Sequence, residues 1–307
     1  MLRAGTDAAR LAGMSPQSTA DAGPGRIVLA ATPLGNLGDA TGRLRELLAT
    51  ADVIAAEDTR NTRRLCQGLG ITPTGRMVAH HEHNEAASAQ GLLDQVRAGA
   101  TVVMVSDAGM PAVSDPGHRL VAAAVEAGLP VTCAPGASAV TTALALSGLP
   151  TARFAFDGFL PRKDGERRRR LEEIRAEART VVYFESPQRT AAALAAVAEV
   201  LGEGRPACVA RELTKLHEEV VRGTAGELAA WAAEREAGEG IRGEVVLLVG
   251  PASAEDVAPA SDADLVAEVA ALTASGTRLK EAVATVAAAH GLRSRELYQT
   301  VLDARRE

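Results

Sequence analysis

The sequence contains few aromatic side chains and few cysteines. Its 307 residues include 1 Trp, 2 Tyr and 4 Phe, which disfavours extensive stacking on nucleic-acid bases. The 3 cysteines, Cys66, Cys133 and Cys208, are odd in number, far apart and without C-x-x-C spacing. This pattern argues against a disulfide framework and against a thiolate zinc site. A reducing, cytoplasmic compartment is therefore predicted.

The sequence also lacks any long apolar run. Stretches such as Val121 to Val125 and Ala191 to Ala198 are much shorter than the roughly 20 residues needed to cross a bilayer. No transmembrane helix and no membrane partner are predicted. Residues 1–25 have no basic start followed by an unbroken apolar core, as a secretory signal requires, and are predicted to form a disordered extension.

An excess of positive charge is absent as well. The formal net charge of -6 argues against a surface that is basic all over and binds nucleic acid through many phosphates. Basic residues are nevertheless clustered in two groups: Arg60, Arg63 and Arg64, and the stronger group Arg162, Lys163 and Arg167 to Arg170. From the charges alone, solvated helix faces are the simpler interpretation of both groups.

Apolar runs and helical patterns alternate through the first half, as in an α/β fold with a parallel sheet buried on both faces. Strands are predicted at Ile27 to Ala31, Val53 to Ala56, Thr101 to Val105 and Val131 to Ala134. Helices are predicted at Gly42 to Ala49, Glu85 to Ala98 and His118 to Ala127, and a fourth, capped by Ser138, runs to about Leu146.

The second half predicts a mixed sheet, because several strands are separated by turns too short for a helical crossover. Its strands are predicted at Phe154 to Phe159, Val181 to Phe184, Ala207 to Arg211, Glu219 to Arg222 and Glu244 to Val249. A polar linker, Pro251 to Asp262, precedes three helical segments at Leu265 to Leu272, Leu279 to Ala289 and Ser294 to Leu302. The predicted domains are therefore 26–148, 149–250 and a small helical appendage within 251–307.

Two polar, glycine-bearing loops follow strands of the first half, where an α/β sheet normally opens its ligand crevice. Residues 32–39 carry G-x-x-G instead of a dinucleotide fingerprint, and the sequence has no phosphate-binding G-x-x-x-x-G-K-[ST]. In the second loop, residues 106–117, Asp107 could accept hydrogen bonds from a ligand. Asp115 is better suited to capping the next helix.

The segment His80-His81-Glu82-His83-Asn84-Glu85 has the residue types of a metal site. It lacks the H-E-x-x-H spacing that puts two imidazoles on one helical face. A capped polar loop is therefore the preferred interpretation, and no metal is predicted.

Charged residues follow two predicted strands of the second half, in segments 183–189 and 210–219. Glu185, Glu212, Lys215 and His217 could include a proton acceptor, and the cations Arg189, Arg211 and Lys215 could bind phosphate. Surface ion pairing is an equally simple explanation from the residues alone.

Eight segments, taken in their order along the chain, resemble sequences of the tetrapyrrole methylase superfamily. Within it they are most similar to a subfamily that methylates a cytidine ribose in the decoding centre of 16S ribosomal RNA. They are ATPLGNLGD, AEDTRNTRRL, HEHNE, SDAGMPAVSDPG, PGASAVTTALALSGLP, FDGFLPRK, FESPQR and ARELTKLHEE. The likeness spans about residues 27–250, and the tail LKEAVATVAAAHGLRSRELYQTVL is similar to the helical C-terminal region of that subfamily.

The resemblance implies two α/β domains with S-adenosylmethionine bound between them, usually in a homodimer. It places cofactor contacts at Leu34, Asp107, Met110, Ser138, Ala139, Phe184, Leu213 and Glu244. RNA, rather than DNA, is expected to meet the cations Arg60, Arg63, Arg64, Arg162, Lys163, Arg167, Arg168 and Arg189.

The implied reaction is 2'-O-methylation of the ribose. The 2'-hydroxyl is a weak acid, so a base must take its proton or nearby cations must favour the alkoxide. The catalytic candidates are Glu185, Glu212 and Lys215, and Lys215 could act as a base only if its pKa were lowered. Two alternatives remain: C-methylation of a precorrin or related macrocycle, and a catalytically silent RNA-binding assembly factor.

Overall fold

The computed structural model describes residues 25–253, 262–290 and 292–304. The predicted disordered extension lies outside the described residues, except for Gly25, and so does most of the predicted linker. The α/β class predicted from the sequence is confirmed, with one parallel sheet, one mixed sheet and C-terminal helices.

The first sheet is entirely parallel and has the strand order β3-β2-β4-β1-β5. Its strands are β1 (Arg26–Ala30), β2 (Val53–Ala56), β3 (Arg76–Ala79), β4 (Thr101–Val105) and β5 (Val131–Ala134). β2 and β4 are short apolar runs whose side chains are buried on both faces, as expected for central strands covered by helices.

Five helices accompany the first sheet: α1 (Gly42–Thr50), α2 (Thr59–Gly68), α3 (Glu85–Arg97), α4 (His118–Glu126) and α5 (Ala139–Ser147). α1 begins where the Thr41 side chain accepts a hydrogen bond from Leu44 N, and it buries Leu44, Leu47 and Leu48. α2 and β3 were not predicted from the sequence. α2 is mostly polar and buries only Thr62 and Cys66, and β3 is an edge strand with no fully buried residue.

The second sheet has the order β6-β7-β10-β8-β9. Only β6 and β7 pair in parallel, and the other pairs are antiparallel, so the mixed sheet is confirmed. Its strands are β6 (Phe154–Phe159), β7 (Thr180–Glu185), β8 (Pro206–Arg211), β9 (Glu219–Thr224) and β10 (Val245–Val249). The accompanying helices are α6 (Asp164–Glu173), α7 (Thr190–Leu201) and α8 (Ala225–Ala237).

Helix α5 connects the two sheets. It follows β5 in the chain, yet its Val140 and Leu144 share an apolar cluster with Val182, Cys208 and Leu248 of the second sheet. Burial of this surface contributes on the order of 25 cal/mol per Å² and so favours a fixed arrangement of the loops at the junction. The domain boundaries given above remain a prediction.

Three further helices, α9 (Asp262–Ala274), α10 (Leu279–Ala289) and α11 (Ser294–Ala304), have an apolar core of their own. Val269, Val283, Val286 and Val301 are buried in that core. Across the described ranges, no helix is both long and apolar enough to span a membrane.

Candidate active site

A cavity of about 330 Å³ lies where the loops after β1, β4 and β5 meet the mixed sheet. Its walls are formed by residues that follow β1, β2, β4 and β5 in the parallel sheet and by residues at the ends of β6, β7 and β10 in the mixed sheet. The lining residues are Leu34, Glu57, Asp107, Ala108, Gly109, Met110, Val113, Asp115, Ser138, Ala139, Val140, Phe159, Phe184, Glu185, Ser186, Pro187, Gly243, Glu244, Val245 and Val246.

The first two loops are joined by backbone hydrogen bonds. Thr32 N donates to Gly109 O at 2.9 Å and Gly109 N donates to Thr32 O at 3.0 Å, while the Thr32 hydroxyl donates to Ser106 O. Gly109 has a φ of 77°, a conformation that glycine adopts without strain. The bridge holds Leu34 and Asp107 on the same cavity wall.

The remainder of the second loop has an unusual backbone. Ala112 and Ser114 have φ values of 68° and 61°, which cost free energy in residues with a Cβ and persist only where surrounding contacts impose them. Ala112 N donates to Pro116 O at 3.0 Å. This conformation places Val113 and Asp115 on the cavity wall.

Glu85, the last residue of the histidine-rich segment, fixes the end of this loop. Its carboxylate accepts hydrogen bonds from Gly117 N and Arg119 N, each at 2.9 Å, and so caps α4. The prediction that Asp115 caps this helix was wrong, because a carboxylate from α3 already satisfies the first N–H groups of α4.

The histidine-rich segment itself is structural. His80 is fully buried, its Nδ1 lies 2.7 Å from the Ser88 hydroxyl, and burial lowers the pKa of its imidazole. Asn84 closes the turn by accepting from His81 N at 2.8 Å. Among the described residues, no group of three or more His, Cys, Asp or Glu side chains could hold a metal ion.

Five carboxyl groups line the cavity, and four of them accept a hydrogen bond from a backbone N–H, an amide or a cation. Glu57 accepts from Asp107 N at 3.1 Å, and Asp107 accepts from the Asn61 side chain at 2.8 Å. Glu185 accepts from Ser186 N at 2.8 Å and from Arg189 at 3.2 Å. Glu244 pairs with Lys215 at 3.1 Å. The fifth carboxyl group belongs to Asp115.

Burial and mutual repulsion shift the pKa values of these acids. Burial raises the pKa of Asp115 to about 7, with further increases from Glu57, Asp107 and Glu244, while the Ser106 hydroxyl lowers it. Burial also raises the pKa values of Glu57 and Glu185. The cavity therefore disfavours its own negative charges and would be stabilised by a cationic ligand.

The opposite wall is apolar. Phe184 packs edge-on against Phe156 and Phe159, with ring centroids 4.9 and 5.8 Å apart. Phe159 is 55% exposed and Val113 is 39% exposed, although both line the cavity. Exposed apolar side chains at a cavity mouth are typical of a ligand-binding surface.

Seven of the eight predicted cofactor contacts line this cavity: Leu34, Asp107, Met110, Ser138, Ala139, Phe184 and Glu244. Their role in binding remains a prediction. The eighth, Leu213, is 5% exposed and packs in the apolar cluster beneath the wall instead of lining the cavity. Ser138 stands at the N-cap of α5, but its side chain makes no capping hydrogen bond.

The three predicted catalytic residues lie in different environments. Glu185 lines the cavity, with its side chain 0% exposed. Glu212 and Lys215 lie outside the lining and form an ion pair at 2.8 Å. This ion pair lowers the pKa of Glu212. Burial lowers the pKa of Lys215, but its pairs with Glu212 and Glu244 outweigh that effect and raise it. The raised pKa disfavours Lys215 as a neutral base, and its ammonium group lies as a cation beside Glu244 of the cavity wall.

Twelve of the 20 lining residues were not predicted as site residues, among them Glu57, Val113, Asp115 and Phe159. Glu57 comes directly after β2, so the rule that found Asp107 could have found it. Val113, Asp115 and Phe159 depend on the left-handed loop and on packing between the two sheets, for which the sequence contains no local signal.

The predicted RNA-binding cations fall into two classes. Arg167 is buried beside Asp164, Arg168 pairs with Asp164 and Glu199, and Arg189 donates to carbonyl groups of the chain and to Glu185. These three side chains have structural partners and do not form a free basic surface. The exposed members are Arg60, Arg63, Arg64, Arg162 and Lys163, of which Arg60 pairs with Asp58 and Lys163 with Glu166.

Comparison with known proteins supports a common ancestry over nearly the whole chain. Ribosomal RNA small subunit methyltransferase I of Mycobacterium tuberculosis is 52% identical over 284 residues, which cover 92% of this chain and 96% of the relative. The protein of the same name from Escherichia coli O157:H7 is 42% identical over 291 residues, covering 94% of this chain and 99% of the relative.

Solved structures agree with this relationship at the level of the fold. The X-ray structure of cobalt precorrin-4 methyltransferase, a cobalamin biosynthetic enzyme, matches with a TM-score of 0.54 and 21% identity, covering 73% of this chain and 94% of that one. A crystal structure of diphthine synthase matches with a TM-score of 0.52 and 15% identity, covering 73% of this chain and 89% of that one.

The family described as Tetrapyrrole (Corrin/Porphyrin) Methylases matches residues 26–229, which include both sheets except for β10. The two full-length relatives add the C-terminal part of the chain to the match. The chain is therefore a methyltransferase that belongs to the tetrapyrrole methylase family and groups with the relatives named ribosomal RNA small subunit methyltransferase I.

Proposed function

We propose that this methyltransferase transfers the methyl group of S-adenosylmethionine to the 2'-hydroxyl of a cytidine ribose in the decoding centre of 16S ribosomal RNA. The observation that carries the proposal is the 52% identity, over 92% of the chain, to a relative named for the small-subunit RNA. The cytidine and the 2'-oxygen follow from the resemblance of the sequence segments described above.

The cavity fits S-adenosylmethionine. The cofactor has an ammonium and a sulfonium group, and the carboxylates of Asp107 and Glu244 provide negative charge that complements them. Leu34 and Phe184 offer an apolar surface for its adenine ring. A cavity of about 330 Å³ is also within the range that holds small ligands.

The bound cofactor supplies an electrophilic methyl group on a positively charged sulfur. The chain's own contribution begins with position, since methyl transfer needs the attacking oxygen in line with that sulfur. Lys215 is held as a cation at the rim by Glu212 and Glu244, where it would favour an alkoxide over a neutral hydroxyl.

The exposed cations flank the cavity and form the proposed RNA surface. Arg63 and Arg64 lie on α2, and Asn61 of the same helix donates to the cavity residue Asp107. Arg162 and Lys163 come soon after the cavity residue Phe159. Phosphate contacts by these side chains would place a ribose at the cavity without reading bases.

The proposal includes a homodimer, as the family resemblance implies, that acts on the small ribosomal subunit in the cytoplasm, as the cysteine pattern predicts. Light scattering coupled to gel filtration tests the dimer. A molar mass of twice the 31.7 kDa of the chain is expected. A monomer at the protein concentrations used in the activity assay would contradict this part of the proposal.

Transfer of labelled methyl from S-adenosylmethionine tests the function. Purified 30S subunits, naked 16S RNA and precorrins serve as parallel acceptors, and nuclease digestion identifies the labelled nucleoside. Label in 2'-O-methylcytidine is the expected result. Label only in a macrocycle would favour the precorrin alternative, and cofactor binding without transfer to any acceptor would favour a silent assembly factor.

A further inference from the structure

Asp115 differs from the other carboxyl groups of the cavity. Glu57, Asp107, Glu185 and Glu244 each accept a hydrogen bond from a backbone N–H, an amide or a cation. In the described part of the chain no ion pair involves Asp115, and the hydroxyl of Ser106 is the neighbour that stabilises its ionised form. The lone pairs that do not accept from Ser106 therefore remain available to a ligand in the cavity.

The loop that carries Asp115 is built to hold it there. Ala112 and Ser114 adopt left-handed backbone conformations, and Ala112 N bonds to Pro116 O across the turn. Glu85 anchors the following residues through Gly117 N and Arg119 N. Strained backbone that is imposed by its surroundings is most often found where a side chain must be held in one place for function.

We propose that Asp115 is the general base of the reaction, accepting the proton of the acceptor hydroxyl inside the cavity. The assignment rests on the function proposed above, because it requires a hydroxyl as the methyl acceptor. It replaces Glu185, whose fully buried carboxylate is neutralised by Arg189 and held by Ser186 N.

The step balances without another reactant. A lone pair of the ribose oxygen forms the new O–C bond to the methyl group, while the bond between that carbon and the sulfur breaks with its electron pair going to sulfur. The hydroxyl proton moves to a carboxylate oxygen of Asp115, and the resulting carboxylic acid later releases it to water. The products are a 2'-O-methyl ribose and neutral S-adenosylhomocysteine.

The surroundings suit a base that works near neutral pH. Glu57, Asp107 and Glu244 face Asp115 from three different loops, and together with burial they raise its pKa to about 7. A base with a pKa near the working pH combines a sufficient ionised fraction with proton affinity. Below that pKa the group is protonated and cannot accept, so kcat should rise with pH and level off. A bound cation would move this inflection to a lower pH.

Asp115→Asn, Glu185→Gln and wild type are compared on 30S subunits at saturating cofactor. We expect Asp115→Asn to lower kcat by about 10²- to 10⁴-fold, as loss of a general base does, and to abolish the pH inflection. Asp115→Glu should restore part of the rate. Calorimetry with S-adenosylhomocysteine should show that Asp115→Asn still binds the product.

A measurement without turnover accompanies the kinetics. Carboxyl-carbon NMR of the apo protein should show one aspartate that titrates near pH 7 and is missing in Asp115→Asn. Absence of that titration would overturn the assignment. A normal kcat in Asp115→Asn together with weaker product binding would also overturn it, because that result describes a cofactor contact. Loss of turnover in Glu185→Gln but not in Asp115→Asn would overturn it as well. If wild type does not methylate the small subunit at all, the proposed function fails instead.

Discussion

The carboxylate of Glu85 does not line the cavity, but its hydrogen bonds to backbone N–H groups hold the loop that does. It is 6% exposed and accepts two N–H groups at the start of α4. Buried donors that lose their acceptor are costly, because water cannot replace it. A residue that touches no ligand can therefore control where Asp115 stands.

Glu85→Ala should destabilise the protein by about 1 to 3 kcal/mol, the cost of leaving buried N–H groups unsatisfied. It should also weaken product binding, because the loop of Asp115 and Met110 loses its anchor. Thermal unfolding and calorimetry measure the two effects. The exposed neighbour Glu82 provides the matched control, and equal behaviour of Glu82→Ala and Glu85→Ala would contradict the anchoring role.

Asp115 should reduce stability at neutral pH. Its pKa is raised from 3.8 when unfolded to about 7 when folded, so between these values the folded state holds more protons and stability falls as pH rises. Asp115→Asn removes this penalty. Its melting temperature should exceed that of wild type at about pH 8, and the difference should shrink towards about pH 4. A melting temperature below wild type at the higher pH would contradict the raised pKa.

At the scale of elements, the turn between β8 and β9 meets the loop after β1. Glu212 and Thr214 have φ values of 52° and 66°, and this conformation lays Lys215 across Gly35. A Cβ added to Gly35 would overlap Cγ of Lys215. The glycine thus leaves room for the side chain that pairs with Glu212 and Glu244.

Gly35→Ala should displace Lys215 from this position. A loss of roughly tenfold in kcat is expected, equivalent to about 1.4 kcal/mol of transition-state stabilisation, because the rim cation moves away. Gly42→Ala is the control, since an added Cβ there meets nothing within 4 Å. Steady-state kinetics on 30S subunits distinguish the two variants, and an unchanged kcat in Gly35→Ala would show that Lys215 does not support the reaction from this site.

At the scale of the whole molecule, a net charge of -6 coexists with exposed cations beside the cavity. Part of the positive charge is neutralised internally, as at Arg167 and Arg168. The cavity faces the carboxyl ends of the parallel strands, whereas Arg76 and Arg97 lie at the opposite edge, where β3 begins and α3 ends. Charge reversals at the two edges can therefore be compared to locate the RNA-binding surface.

The double variant Arg63→Glu with Arg162→Glu should weaken binding to 16S RNA and reduce the salt dependence of that binding. A plot of the logarithm of the binding constant against the logarithm of the salt concentration has a negative slope. The magnitude of this slope should decrease by about 0.7 to 0.9 for each RNA phosphate that the protein no longer neutralises. Arg76→Glu with Arg97→Glu makes the same change in net charge at the opposite edge. Equal salt slopes for the two double variants would remove the proposed surface.

Much of the architecture could be predicted because it depends on local patterns. The bounds of β2, β4, β5 and β6 agree with those predicted, since short apolar runs flanked by polar loops identify buried strands. Helices α2, α6, α7 and α8 and strand β3 were not predicted. α2 and α6 are mostly polar, and β3 is an exposed edge strand, so none of the three contains a long apolar pattern.

The sequence by itself determined the α/β class, the family and several loops that line the cavity, because loops after buried strands meet at one edge of a sheet and the segments there match known relatives. Tertiary structure decided what each charged group does. It buried Arg167, kept Lys215 protonated between two carboxylates and turned Glu85 into a cap. It also raised the pKa of Asp115 by burying the carboxyl group and by gathering Glu57, Asp107 and Glu244 around it. The charge and proton affinity of a side chain depend on burial and on neighbours distant in sequence, and only the folded chain brings those neighbours together.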